Sequence, residues 1–203
     1  MADSFKHIFL TGNVQVGKST ILKYVLDNNP DLKIGGLFTR WINKTDAAKA
    51  GLYMFPADRK TINTVWGTCA SGSSEPDAAL LGKLLSSANL IATFDSGNYK
   101  KKILFKNVFD DLGKQYLKKA KNADLILIDE IGILEDKSYA FQEEVLKLLN
   151  GTVPIIGVVR NKPGTLTDAI KNHPRVDVIE VTRANRDKMK EELTTYIQMH
   201  LKK

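Results

Sequence analysis

Short apolar runs recur along this chain, and stretches of helical period separate many of them. Lys6-His7-Ile8-Phe9-Leu10 reads as a short buried strand, and Leu125-Ile126-Leu127-Ile128 as a fully apolar one. Val153 to Val159 and Val176 to Val181 read as two more strands. Between the runs, Gly17 to Asp27 has the spacing of an amphipathic helix, with Ile21, Leu22, Val25 and Leu26 on one face. Phe105 to Lys121, Ser138 to Leu149, Thr165 to Lys171 and Asn185 to Leu201 read as further helices, the third capped by Thr165 or Thr167. Apolar strands alternating with helices predict a parallel sheet covered on both faces, hence an α/β fold.

The region from residue 35 to 105 has a different texture. Gly35 to Ile42, Gly51 to Phe55 and Thr61 to Trp66 read as short β segments separated by Asn43 to Asp46 and Pro56 to Lys60. They predict an antiparallel β meander inserted in, or extending, the parallel sheet. Leu90 to Asp95 reads as a strand followed by a Gly97-Asn98 turn, and Ala78 to Ser87 as a short helix. The Ser/Gly-rich stretch 70–76 reads as a mobile loop, and Lys100-Lys101-Lys102 as a solvated one. Trp41 and Trp66 fall in predicted β segments, where packing on the sheet is the default and stacking on a base the alternative.

Composition narrows the class. The 203 residues suit one domain, residues 1–203, with 43% hydrophobic residues to fill its core. The single cysteine, Cys69, excludes an internal disulfide, and its plain reading is a small packed side chain. No apolar run reaches the length of a signal core or a membrane span, so a cytoplasmic protein is expected, with no membrane partner. His7, His173 and His200 are scattered without ligand spacing, which argues against zinc. The net charge of +7 is mostly lysine and suits a polyphosphate substrate. It leaves nucleic-acid binding open, although no RNA-reading motif is present.

Two segments carry chemistry. Gly12-Asn13-Val14-Gln15-Val16-Gly17-Lys18-Ser19 fits the G-x-x-x-x-G-K-[ST] phosphate loop at every fixed position, after a strand and before a helix. A polyphosphate needs several converging donors, and a loop entering a helix N-terminus supplies backbone amides and the positive end of the helix dipole. Lys18 is expected on the β- and γ-phosphates, and the Ser19 hydroxyl on Mg²⁺. The second segment is Asp129-Glu130, at the end of the apolar run Leu125 to Ile128. Ligands of open α/β sheets sit at the carboxyl ends of the strands. There Asp129 is expected to hold Mg²⁺ and Glu130 to orient or deprotonate an attacking water. A Glu beside the metal Asp favours hydrolysis, and no Arg-rich lid of the kind a kinase uses stands out.

These residues resemble the small P-loop nucleoside-triphosphatases of the thermophilic and cancer-related type. The resemblance rests on the phosphate loop, Gly36-Leu37-Phe38-Thr39-Arg40, Ile128-Asp129-Glu130-Ile131-Gly132 with Glu135, Ser138 and Phe141, and Val181-Thr182 with Asn185-Arg186-Asp187. It implies a RecA-like sheet and slow hydrolysis of nucleoside triphosphates such as ATP or GTP with broad base tolerance. It also extends phosphate binding to Thr20. Gln15 stands where the family commonly has Gly, Trp41 where an acid often follows, Lys49 in place of Arg, and Ile133 in place of Lys.

Two arginines are weaker candidates. Arg160 follows the strand Val153 to Val159 on the same sheet edge, either to stabilise γ-phosphate charge or as a plain surface residue. Arg186 either braces the last helix or approaches the nucleotide. Two functions compete with hydrolysis: a nucleotide or nucleoside kinase, and a nucleotide-regulated RNA or protein interaction module.

Overall fold

The computed structural model describes residues 5–42, 50–67, 78–95, 98–105, 107–132 and 134–201. Its strands are β1 (His7–Thr11), β2 (Ile34–Ile42), β3 (Gly51–Pro56), β4 (Leu90–Asp95), β5 (Asn98–Leu104), β6 (Leu125–Ile131), β7 (Ile155–Val159) and β8 (Val176–Glu180). Its α-helices are α1 (Lys18–Asp27), α2 (Arg59–Trp66), α3 (Ala78–Leu84), α4 (Lys114–Ala120), α5 (Tyr139–Leu149), α6 (Thr165–Lys171) and α7 (Arg186–Leu201). The strands form one sheet in the order β5-β4-β3-β2-β6-β7-β1-β8. From β2 to β8 the neighbours are parallel, whereas β2-β3, β3-β4 and β4-β5 are antiparallel.

The unbroken apolar runs are explained by burial on both faces. On one face Phe9, Ile126, Ile128, Ile155 and Val159 pack against Leu117 of α4, Phe141 and Val145 of α5, and Leu166 and Ile170 of α6. On the other, Ile8, Leu10, Leu125, Leu127, Ile156 and Val158 pack against Ile21, Leu22, Val25 and Leu26 of α1 and Leu193 and Ile197 of α7. A strand that meets helices on both sides has no polar position to spare. This is the mainly parallel α/β sheet, covered by helices on both faces, that the alternating pattern predicts, with β7 between the loop-bearing β1 and the acid-bearing β6.

His7 ties this floor together. Its Nε2 donates to the Leu149 carbonyl at 2.9 Å, and its Nδ1 accepts from the Ile155 amide at 3.1 Å. Both bonds fit a neutral ring. Burial pushes its pKa down to about 4, against a partial upward pull from the Leu149 carbonyl.

Four local expectations need correction. Thr61 to Trp66 is helical, not β. Asp58 is extended (φ −84°, ψ 157°) and its side chain accepts from the Thr61 amide at 2.9 Å, capping α2. Ile62 is then buried, and Trp66 packs 5.0 Å from the Phe38 ring. Cap and burial together override the β-branched local preference. The meander exists, but β4 and β5 complete it instead.

The basic run lies in strand β5, not in a loop, and Asn98 opens that strand. Lys102 pairs across from Phe94, and its ammonium stands 5.0 Å from the centroid of the Trp41 ring, which stacks on Phe94. Neither threonine caps α6. Gly164 is its N-cap, and the Thr167 hydroxyl donates to the carbonyls of Lys162 and Gly164. The segment after Phe105 enters α4 through a π-helical turn at Phe109–Gly113. Residues 43–46, Cys69, residues 70–76 and Gly97 lie outside the described residues. No described helix is long and apolar enough to cross a membrane.

Candidate active site at the carboxyl edge of the sheet

One lip of the site is the loop joining β1 to α1. β1 runs buried between β7 and β8, and the chain must turn sharply from its end to lay α1 on the sheet. Gly12 makes the turn at φ 128°, where a β-carbon would stand 2.4 Å from the Val181 carbonyl oxygen. Only glycine fits there. Gln15 and Gly17 also have positive φ, at 62° and 106°. Three positive-φ residues within six positions bend the loop tightly, and backbone of this kind builds anion-binding nests. The first turn of α1 carries no acidic residue and no side chain caps it, so its leading amides face outward. Lys18 Nζ donates to the carbonyls of Gly12 at 2.9 Å and Asn13 at 2.7 Å, which holds the ammonium over the loop. Burial lowers the Lys18 pKa, while the charges of Glu130 and Asp129 raise it.

The opposite lip is the end of β6. Ile128 pairs with Gly157 and Ile131 with Val159, three steps along β6 against two along β7. The extra residue is a β-bulge, and Glu130 within it has φ 76°. The bulge aims Asp129 and Glu130 into different surroundings. Asp129 is buried, and desolvation pushes its pKa up to about 7; the adjacent Ser19 hydroxyl, Lys18 and Arg40 pull it back. Its Oδ1 is buried without a hydrogen-bond partner. Glu130 is half-exposed, and its Oε1 accepts from Arg160 Nη2 at 2.9 Å. Ser19 and Lys18 from one lip therefore lie within reach of Asp129 on the other, and Lys18 within electrostatic reach of Glu130, at one edge of the sheet.

The NTPase family profile matches residues 82–194, more than half of the chain. The chain belongs to the NTPase family. Within the family, it is 26% identical over 201 residues to nucleoside-triphosphatase THEP1 of Methanocaldococcus jannaschii, covering 96% of this chain and 99% of that protein. It is 26% identical over 204 residues to the cancer-related nucleoside-triphosphatase homolog of Bos taurus, covering 95% and 97%. Two solved structures share the fold. They are THEP1 from Aquifex aeolicus (TM-score 0.63, 19% identity, 98% and 100% covered) and a human cancer-related nucleoside triphosphatase (TM-score 0.65, 21% identity, 96% and 98% covered).

The family match begins after the phosphate loop, so the loop stands on its own spacing and geometry. Asn13, Val14 and Gln15 are exposed on its rim, Val16 is buried beneath it, and Ser19 and Thr20 are exposed at the start of α1. Arg160 reaches the acid edge. Arg186 lies against the loop, its stem 3.7 Å from where a β-carbon on Gly17 would stand, and its Nε is 3.8 Å from Asp187 Oδ2. Two neighbours of the site were quoted in the family resemblance without a role. Arg40, two residues beyond the Phe38 that pairs with Asp129, adds positive potential at that carboxylate. Glu135 is buried beside Gly132 and accepts from its amide at 2.9 Å. For the first, the role follows only from the strand register.

Proposed function

We propose that this chain, acting as a single nucleotide-binding domain, is a Mg²⁺-dependent nucleoside-triphosphatase. It cleaves the terminal phosphoanhydride of ATP, GTP and other nucleoside triphosphates to give diphosphate and phosphate. The observation that carries the reading is the convergence of Lys18 and Ser19 with Asp129 and Glu130 at one end of the sheet.

In this reading the amides from Gly12 to Thr20 receive the phosphate oxygens, and Lys18 leaves the loop carbonyls for the β- and γ-phosphates. Ser19 and Asp129 would hold Mg²⁺. The buried, unpartnered Asp129 Oδ1 beside a hydroxyl suits a hard cation that takes its remaining oxygens from phosphate and water. No cluster of three acids, histidines or cysteines is present among the described residues, and such a site needs none. The ion supplies charge neutralisation of the phosphate oxygens.

Glu130 accepts a proton from water as the water oxygen bonds to the γ-phosphorus and the bond from that phosphorus to the β–γ bridging oxygen breaks. Arg160, already hydrogen-bonded to Glu130, is within the same cleft to offset charge on the departing phosphoryl group.

The kinase alternative differs in what receives the phosphoryl group. Phosphate release should be followed for ATP, GTP, CTP and UTP, with and without Mg²⁺, and with nucleosides and monophosphates added. Free phosphate from all four, only with Mg²⁺, is the expected result. Transfer to an added acceptor at the expense of free phosphate would replace hydrolysis with a kinase reaction.

A further inference from the structure

We propose that Glu135 is a positioning residue that holds the backbone bearing Glu130. The proposal rests on the reading of Glu130 as the group that activates water. A non-glycine residue in left-handed backbone is strained and persists only where its surroundings over-determine it. Glu130, at φ 76° inside a bulge, is such a residue. Three hydrogen bonds enclose it. The Arg160 amide donates to the Ile131 carbonyl, the Gly132 amide donates to Glu135 Oε2, and the Arg160 guanidinium donates to Glu130 Oε1, each at 2.9 Å.

The pieces interlock. The Arg160 stem crosses Gly132 so closely that a β-carbon there would meet its Cδ at 2.8 Å. The Glu135 side chain, 3% exposed, closes the same turn from beneath, and its own carbonyl accepts from Gln142 Nε2 at 3.0 Å, which ties it to α5. Glu130, Glu135, Arg160 and Thr39 line a common cavity of about 10 Å³, room for about one water and no nucleotide. Arg160 and Glu130 both act electrostatically on Glu135, Arg160 favouring its charge and Glu130 opposing it.

Stability alone does not account for this arrangement. The Glu130–Arg160 pair joins side chains 38% and 43% exposed, and pairs so exposed add little to stability. Burying the Glu135 carboxyl is unfavourable in itself. What the two residues provide is direction: they fix the strained peptide that carries Glu130. Small misplacements of a catalytic group are costly in rate, up to about 100-fold for 1 Å.

The test compares kcat, nucleotide Kd and thermal midpoint for Glu135→Ala, Glu135→Gln, Glu135→Asp, Glu130→Gln and the double variant Glu130→Gln/Glu135→Ala, with Mg·ATP as substrate. Glu135→Ala is expected to lower kcat about tenfold or more, with Kd within about threefold of wild type. Glu135→Gln keeps an acceptor for the Gly132 amide and should recover most of the rate. Glu135→Asp keeps the charge but shortens the reach, so it should lose rate even if the alanine variant melts too low to assay. In the Glu130→Gln background, Glu135→Ala should cost less than about twofold more, because a residue that acts through another adds little once that other is gone. Wild-type kcat in Glu135→Asp, equal losses in the Gln and Asp variants, or losses that multiply in the double variant would overturn the proposal. Wild-type turnover in Glu130→Gln would instead sink the hydrolytic reading beneath it.

Discussion

The phosphate loop and the acid edge each place one non-glycine residue in left-handed backbone, Gln15 at φ 62° and Glu130 at φ 76°, yet they hold it differently. Gln15 stands exposed on the rim of its loop, between two glycines that do the turning. Glu130 sits in a bulge enclosed by Arg160, Gly132 and Glu135. The loop shapes its site with backbone amides, so the side chain at position 15 is incidental to its curvature. The acid edge is shaped by side chains, which enclose the strain at position 130. Binding and turnover should therefore separate between the two lips.

The sharpest separation is expected from Glu130→Gln. It keeps the shape of the side chain and removes the base, so kcat should fall about 10²- to 10⁴-fold with Kd changed only a few-fold. Phosphate-release kinetics beside equilibrium nucleotide binding read both quantities, and equal losses in the two would erase the distinction between the lips. Lys18→Ala should act on binding, weakening triphosphate affinity about ten- to a hundredfold through loss of charge-assisted hydrogen bonds. Unchanged affinity in a titration with Mg·ATP would remove the loop from the site.

Beneath both lips, His7 sets the pH response of the floor. Its pKa is lowered on folding, from 6.5 to about 4. The unfolded chain therefore binds the proton more readily, and the contribution of the neutral ring is full above pH 6.5 and lost as pH falls through about 4. The loss is about 3 kcal/mol. Denaturant midpoints of wild type and His7→Gln should converge as the pH falls across that range, and a constant gap would contradict the assignment. The smallest effect belongs to Gln15→Gly. It relieves left-handed strain but adds freedom to the unfolded chain, for a net gain of about 0.5–1 kcal/mol with kcat retained. A loss of stability or of turnover would show that Gln15 is more than a rim residue.

Legibility in the sequence followed the locality of each feature. The phosphate loop was readable because its fixed spacing encodes its backbone geometry. Asp129 and Glu130 were readable because an apolar run buried on both faces can end in acids only at a sheet edge. The helix Arg59–Trp66 was hidden, since Thr61, Ile62, Thr64 and Val65 favour strand locally, and the features that decide it are the Asp58 cap and burial against Phe38. The basic run was misplaced because lysines on an edge strand look the same in sequence as lysines in a loop. The Glu135–Gly132 bond, the left-handed Glu130 and the influence of Arg40 on Asp129 depend on register and a bulge, and no local pattern encodes them.

Hydrogen exchange of the full chain, with and without Mg²⁺ and a non-hydrolysable triphosphate, tests the convergence of the lips most directly. Amides 13–20 and 129–132 should slow together, and only when both ligands are present. Protection of the loop alone, with the acid edge exchanging as before, would contradict a single site built from both.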